Sequence, residues 1–537
     1  MTLLAAFLAG FAVLVLEILG VHLASAWFGA SSVIWTHQIG VVLLALALGG
    51  WLGGRAAGRT ERPAALAGWL LLGGGGLLGL AVALLPLYAE WVLPEELELE
   101  QAAGLFLGGS LGGALLFYAP PVLLLAMVSP LLVQERSRTH GAGAAAGQLY
   151  AAGTLGSLLG TFGSTWLFLP AWGVRATLAG TALALALAGL LLARPRRRGA
   201  ALLFFLPGLG ALLLPDRAAA ANLPAAEGLE VRVLPGSVRE TPYGRLRILE
   251  FRRGEEIVER RLQMNEGLDS FQSLWPAGFG EEPRWTGAYY DLFALALFYA
   301  GEAGPGRAPE AGAATEVWCL GFGAGSLLGP LARALGERPW RATGVELDPA
   351  VVELGERFLP LPPGLRERTR ILAGLDARTA LRGAPRDLDL LFLDAYARQF
   401  EIPLHLATVE FFEECRERLR PGGVLALNLG SAGGLTSGDP VLRKLRASLG
   451  RAFGGRVRAQ QVPGSRNLLL FARKDRPLAP QEELAGILPA GLPLALGGAC
   501  LPLQVLDGPP EGGGEILRDD RSSLALDQAR AWWGGRR

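Results

Sequence analysis

The sequence predicts a multi-span α-helical membrane region followed by an α/β domain with a parallel sheet, with a small N-terminal β-sheet subdomain between them. Three observations carry this. Seven apolar runs crowd the chain before residue 216, where charge is almost absent up to residue 190. Short alternating runs fill 229–264. Strand-like and helix-like patterns then take turns from 316 to 473. Over all 537 residues, 51% are hydrophobic, a high value for a soluble protein that averages two unlike halves.

The apolar runs lie at roughly 2–27, 38–54, 64–89, 103–133, 142–170, 174–193 and 200–215. A run near 20 residues crosses the ~30 Å hydrocarbon core as a helix. The first run is too long for a cleaved signal peptide and lacks its basic start, so it reads as a retained span. Arg55, Arg59 and Arg62 follow the second run, Arg136 and Arg138 the fourth, and Arg194 to Arg198 the sixth. By the positive-inside rule these loops and the N-terminus are cytoplasmic. Seven crossings would then deliver everything after residue 216 to the other side. The seventh run, ALLFFLPGLGALLLP, is short and interrupted by Pro207-Gly208, which suits a re-entrant or interfacial segment. In GTLGSLLGTFGS (153–164), Gly156 and Gly160 are spaced for close helix packing. Glu17, deep in the first run, is a functional candidate facing His22, Gln38 or Gln148, with hydrogen-bonded packing as the plainer alternative.

Charge and rare residues exclude several classes. Formal net charge is +1, so no global field draws nucleic acid. Cys319, Cys415 and Cys500 are scattered and odd in number, which implies no disulfide framework. The four His, at 22, 37, 140 and 405, stand apart from Cys and from each other, so no metal site is expected.

After the membrane region, LEVRVL, GRLRILEFR and EIVERRLQM are separated by Pro-Gly, Pro-Tyr-Gly and Arg-Gly-Glu turns, as in a small antiparallel sheet. WTGAYYDLFALALFYAG (285–301) has helical spacing, and GEAGPGRAPEAGAAT (301–315) is a boundary loop. Then EVWCLG, RATGVELD, TRILAG, DLDLLFLD and GVLALNLG read as strands, separated by helices such as PAVVELGERFL and VEFFEECRERLR. VRAQQVPGSRNLLLFAR (457–473) reads as a hairpin at the sheet edge. The expected divisions are 1–215, 216–300, 301–475 and a C-terminal extension, 476–537.

Ligands of such sheets bind beyond the carboxyl ends of strands. GFGAGS closes the first strand, and its glycines admit close backbone approach. Glu346, 25 residues after Gly321, closes the second, where a carboxylate can accept from both ribose hydroxyls. Asp376 follows the third strand, placed to accept an adenine amino group, and Asp394 closes the fourth. The spacing Gly-x-Gly-x-Gly-Ser departs from the dinucleotide fingerprint, and no Gly-Lys-Ser/Thr follows for a P-loop. An adenosyl sulfonium compound suits two acids and no pyrophosphate cradle. A plain strand–helix turn remains the alternative for the glycines, a helix-capping acid for Asp394.

Several stretches carry a resemblance: VLVLEILGVHLASAWFG (13–29), SPLLVQERSR (129–138), GQLYAAGTLGSLLGTF (147–162), TPYGRLRILE (241–250), IPLHLATVEFFEECRERLRPGGVLALNL (402–429) and LRDDRSSL (517–524). From about residue 230 to 475 the chain resembles the polyamine aminopropyltransferases, the spermidine synthase family. Residues 1–215 resemble the membrane region of fused spermidine synthase-like bacterial proteins. The resemblance implies a Rossmann-like, class I methyltransferase-type α/β domain and displacement by an amine at a carbon beside a sulfonium sulfur. It implies Asp394 as the acid that holds or takes the amine's proton, with Tyr289 assisting. Gly321, Gly323, Gly325, Glu346 and Asp376 match the nucleoside-binding positions, and Tyr290, Tyr396 and His405 are candidates on the substrate side. For Tyr396 and His405, packing beneath a lid loop is the alternative. Two positions depart from the pattern: the family's Gly-Gly-Gly-Asp-Gly-Gly reads GFGAGS, and its Asp-x-x-Asp reads DAYA, so Ala324 and Ala397 replace acids.

The expected function is therefore a membrane-anchored, spermidine synthase-like transferase. Its donor is decarboxylated S-adenosylmethionine or S-adenosylmethionine itself, with no metal. An S-adenosylmethionine-dependent methyltransferase, and a transporter or scaffold with a non-catalytic nucleoside-binding domain, are the alternatives. The expected partners are the lipid bilayer and a small amine or other small-molecule acceptor, without nucleic acid; a homodimer is left open. The resemblance implies the bacterial inner (plasma) membrane, with the soluble part in the cytoplasm, where the donor is made, against the span count.

Overall fold

The computed structural model describes all residues except 29–31, 94–107, 195–197, 214–227, 265–270, 301–313, 397–401, 432–433, 436–438, 466, 481–504, 511–513 and 520–537. Ala397 and the last five residues of LRDDRSSL therefore lie outside the described residues. Two compact units divide the chain. The first comprises Met1–Pro224 with Arg239–Arg245 and Asn265–Leu268; the second comprises Ala225–Val238, Leu246–Met264 and Asp269–Arg537.

The first unit is helical. α1 (Thr2–Phe28), α2 (Ser32–Ala57) and α3 (Pro63–Val92) are followed by α4 (Gly108–His140), which contains a π-helical turn at Ala114–Tyr118. α5 (Ala142–Gly163) and α6 (Leu169–Ala193) form one helical stretch through a second π-helical turn, Ser164–Phe168, with a break at Gly173 (φ 73°). That stretch takes in two of the seven apolar runs. Among the described residues, five helices are long and apolar enough to cross a membrane. The seventh run forms a shorter apolar helix, α7 (Gly199–Leu213). It starts with Ala201 packed against Leu72, Ala186 and Ala193 and ends with the Arg175 guanidinium donating to the Ala211 carbonyl.

Small residues set the packing here. A Cβ on Gly156 would lie 2.0 Å from the Phe7 carbonyl oxygen, and one on Gly160 2.6 Å from that of Phe11, so α1 and α5 meet backbone to backbone. The outward faces carry Leu43, Leu44, Trp51, Leu155, Phe162 and Trp166, the composition a hydrocarbon surround favours. Of the partners expected for Glu17, Gln148 instead accepts from Arg136 Nε (2.7 Å) and Gln38 donates to the Leu16 carbonyl (3.3 Å).

The second unit holds two sheets. β1 (Glu230–Val233), the two-residue β2 (Arg239–Glu240, assigned to the first unit), β3 (Arg245–Arg253), β4 (Glu256–Met264) and β5 (Ser273–Pro276) come first, with antiparallel order β1-β3-β4-β5. Glu250 on β3 is buried and takes Arg232, Arg252 and Arg260. Burial raises its pKa, but the three guanidiniums outweigh burial and leave it below the ordinary value.

The larger sheet contains β6 (Thr315–Leu320), β7 (Trp340–Glu346), β8 (Thr369–Ala373), β9 (Leu388–Leu393), β10 (Leu419–Gly430), β11 (Val457–Gln461), β12 (Asn467–Arg473) and β13 (Val505–Asp507). Their order is β13-β11-β12-β10-β9-β6-β7-β8. β8, β7, β6, β9 and β10 are parallel; β12, β11 and β13 are antiparallel. At the centre, β9 is almost wholly apolar and β6 is so from Val317 to Leu320, as strands covered on both faces must be.

Capping acids start the covering helices. Asp348 accepts from Ala350 N (3.0 Å) at α8 (Pro349–Phe358), and Asp376 from Thr379 N (3.0 Å) at α9 (Ala377–Arg382). Thr408 accepts from Phe411 N (3.3 Å) at α10 (Val409–Arg418), and Asp439 from Val441 N (2.8 Å) at α11 (Pro440–Phe453).

Two expectations are corrected. The single helix over 285–301 is two short helices, Tyr290–Phe293 and Leu295–Tyr299: Asp291 takes the amides of Thr286 and Gly287 and winds 286–291 into a turn, and Ala294 N steps back only three residues to Asp291 O (3.3 Å) between the two helices. The β11–β12 hairpin is not the sheet edge: β13 adds outside β11, held by Arg458 Nε on Asp507 (2.6 Å).

Candidate active site

The order of the parallel strands reverses between β6 and β9, the place where doubly wound sheets open a crevice at their carboxyl ends. Gly321–Ser326 follows β6 at that point, and Asp394 follows β9. Asp394 N donates to Leu320 O (2.8 Å), so the two strand ends are stitched together. Gly321 sits at φ 81°, and a Cβ there would lie 2.4 Å from the Asp394 carbonyl oxygen. Glycine is required on both counts.

Every amide from 321 to 325 has a partner within the chain. Gly321 and Phe322 donate to Val345 O (3.0 and 2.9 Å), and Gly323 to Glu346 Oε2 (2.8 Å). Ala324 donates to Ser273 Oγ (2.7 Å) and Gly325 to Phe322 O (3.0 Å). A phosphate-cradling loop aims such amides outward at its ligand; here four of the five go to residues of other segments and one closes the turn itself. Ser326 Oγ accepts from Leu274 N (2.9 Å) and donates to Leu274 O (2.8 Å), fastening the turn to β5. Ala324 is 9% exposed and packs with Leu234, Val351 and Leu354. Its side chain belongs to an apolar cluster.

Asp394 is the centre of the polar part. Tyr289 donates to Oδ2 (2.9 Å) and Asn428 Nδ2 to Oδ1 (2.8 Å). Asn467 Nδ2 donates in turn to Asn428 Oδ1 (2.9 Å), fixing which way that amide points. Loss of water around the carboxyl raises its pKa to about 6, against the pull of the Asn428 and Tyr289 bonds. Burial, with Asp394 next, pushes the Tyr289 hydroxyl up, so it remains a donor. Tyr290 packs its ring tilted against Tyr289 with centroids 4.1 Å apart, is 3% exposed and donates to the Gln272 carbonyl (3.0 Å). Tyr396 accepts from Gly430 N (3.1 Å).

Glu346 takes Gly323 N on one oxygen and Asp348 N (3.1 Å) on the other; burial holds its pKa above the ordinary value despite both. Asp376 meets His405, Nε2 to Oδ2, at 2.8 Å. Burial pushes Asp376 up, but the Thr379 amide and His405 prevail and its pKa falls below the usual carboxylate value.

The structure thus gathers Asp394, Tyr289, Gly321, Gly323 and Glu346 through direct contacts, and pairs Asp376 with His405 at the end of the neighbouring strand. Gly325 (φ 85°) completes the turn, while Tyr290 turns its hydroxyl to the backbone. Sequence reasoning missed Asn428, Asn467 and Ser273. A polar residue inside the apolar strand LALNLG was the available signal for Asn428; nothing local marked Ser273, which matters through a contact 51 positions away.

No family model matches the chain. A probable polyamine aminopropyl transferase of Bifidobacterium longum is 30% identical over 191 residues, 35% of this chain and 38% of that protein. A polyamine aminopropyltransferase of Vibrio vulnificus is 34% identical over 116 residues, 21% of this chain and 37% of that one. Among solved structures, a probable spermidine synthase from Corynebacterium glutamicum aligns over 53% of this chain and 97% of its own, at 21% identity and a TM-score of 0.40. In sequence the chain is spermidine synthase-like, and it spans less than two fifths of the length of the curated aminopropyltransferases it matches.

Proposed function

We propose that the second unit is a transferase that takes an adenosyl sulfonium donor and passes its aminopropyl group to an amine. The amine arrives as an ammonium, and Asp394 takes its proton. The freed lone pair attacks the carbon beside the sulfonium sulfur, the new C–N bond forms, and the C–S pair returns to sulfur as a neutral thioether. Tyr289 and Asn428 hold the carboxylate's direction. Glu346 is assigned to the ribose and Asp376 to the adenine amino group, with Gly321, Gly323 and Gly325 as the floor. Tyr396 and His405 are assigned to the substrate side. Tyr290 supports Tyr289 by ring packing.

One observation supports this reading best. A largely desolvated acid with pKa about 6 lies against a glycine turn whose five amides are all engaged within the chain. The first part suits proton transfer near neutrality; the second disfavours a pyrophosphate ligand. The test uses the full chain in detergent with decarboxylated S-adenosylmethionine and putrescine or related amines. An aminopropylated amine that disappears with Asp394→Asn is expected. No product with any amine would overturn the assignment.

Methyl transfer from S-adenosylmethionine is the second reading, favoured by the apolar cluster around Ala324. Where an acid would grip the donor's amine, this chain offers hydrocarbon. Methyl-labelled donor distinguishes the two, since only this reading labels the acceptor.

The five long apolar helices and their exposed Leu, Trp and Phe faces support anchoring in a bacterial inner membrane. We keep the second unit in the cytoplasm with its donor. A reporter joined after residue 216 that reads the outer side would overturn this. The course of α7 from Ala193 to Arg175 would then count as a seventh crossing.

A further inference from the structure

We infer that the tail residues Leu517–Asp519 form a clasp on the base-recognition end of this site, with Asp519 as a positioning residue for Asp376 and His405. The inference rests on the donor reading above.

The clasp is built around Arg378, the second residue of α9, which is 9% exposed. Its Nη1 and Nη2 donate to Asp519 Oδ1 and Oδ2, both at 2.8 Å, a two-pronged ion pair. Its Nε and Nη2 also reach Glu414 Oε1 on α10 (3.0 and 2.7 Å), and Nη1 reaches the His405 carbonyl (3.1 Å). Asp519 Oδ1 accepts in addition from Thr408 Oγ1 (2.7 Å), the residue that caps α10. One guanidinium therefore joins the start of α9, the His405 backbone and the tail.

The tail is itself held on two sides. Leu517 is fully buried, its amide donates to Ser448 Oγ (2.8 Å) and its carbonyl accepts from Val409 N (2.8 Å). Asp519 N donates to Glu410 (3.2 Å), and Arg518 pairs with the same carboxylate (3.4 Å). This anchoring makes Asp519 a fixed post and not a loose surface acid.

Two residues before Arg378, Asp376 caps α9 and meets the His405 ring at 2.8 Å. Both members of that pair are thus tied to Arg378, Asp376 by the helix and His405 by its carbonyl. Removing the tail's hold frees α9 and the 404–408 turn to shift independently. The Asp376 carboxylate, which must face an adenine amino group at hydrogen-bond distance, loses its bearing. The charge arithmetic agrees: Arg378 faces Glu414 and Asp519, and deleting one acid leaves the guanidinium to be shared anew.

The test compares the full chain with Asp519→Asn, Asp519→Glu and a chain ended after residue 516, all in detergent. The readouts are affinity for 5′-methylthioadenosine and its inosine counterpart, which presents a carbonyl where adenine has an amino group. The expected wild type prefers the adenosine compound at least tenfold. In Asp519→Asn and in the shortened chain that preference falls to twofold or less, and donor KM rather than kcat carries the loss. Asp519→Glu, which keeps the ion pair, restores most of it. A variant Asp519→Asn that keeps both affinity and preference overturns the clasp, as does a lowered melting temperature with preference intact. A wild type that binds no adenosyl thioether overturns the donor reading first, and the clasp with it. A wild type that binds both thioethers equally leaves the donor reading standing and overturns the role of the Asp376 end.

Discussion

Asp394 and Asp376 follow β9 and β8, two strands of one sheet with β6 and β7 between them, and their pKa values move in opposite directions. At Asp394 two neutral donors, a phenol and an amide, fail to offset burial, and the acid rises to about 6. At Asp376 a helix-start amide and an imidazole do offset it, and the acid falls. A carboxyl that exchanges its proton near neutrality suits chemistry; one that stays charged suits recognition. Asp394 lies deeper in the protein than Asp376, whose side chain is 35% exposed, and the donors around each acid add to that difference.

The stability signs follow. A raised carboxyl favours the folded state at low pH and loses that contribution as pH rises through about 6. The lowered Asp376 contributes above its unfolded value and loses that contribution as pH falls through the depressed one.

The comparison is tested hardest at Asp394. Asp394→Asn should reduce single-turnover transfer by roughly 10³-fold, within the range for loss of a general base, while raising the melting temperature at pH 8 relative to wild type. A loss under tenfold would mean that Asp394 only caps its strand.

An added carboxylate at the same edge comes next. Ala324→Asp would put a charge among Leu234, Val351 and Leu354 and should cost roughly 2–4 kcal/mol in denaturant unfolding. An unchanged midpoint would show that the position opens to solvent.

Asp376→Asn should raise donor KM by about tenfold, ~1.4 kcal/mol, since a charge-assisted bond becomes a neutral one. An equal fall in kcat at saturating donor would erase the division between the two acids.

Tyr289→Phe gives the smallest and sharpest change. Its hydroxyl stabilises the Asp394 carboxylate, so removing it moves the acidic limb of the rate profile above about pH 6. A limb displaced toward lower pH would contradict the assigned direction of that bond.

Part of this was legible in the sequence. The apolar run lengths foretold the long helices, and the strand patterns foretold that Glu346, Asp376 and Asp394 lie at or just after the ends of β7, β8 and β9, because strand periodicity fixes where a chain emerges from a sheet. The rest depended on distant pairs. Ser273 reaches Ala324, Asn467 orients Asn428, and β13 covers β11; none has a local pattern, since each partner is ordinary in its own segment. The short helices at 290–299 were misread because their apolar spacing is helical, whereas Asp291 decides how the chain enters them.

The bare contact of Gly321 with the Asp394 carbonyl has a mechanical meaning. No side chain cushions it, so the two strand ends touch like the closed leaves of a hinge and leave no slack between them. On the proposed reading, a donor that pressed on the turn would press on Asp394 as well, and alignment of the second would follow from seating of the first.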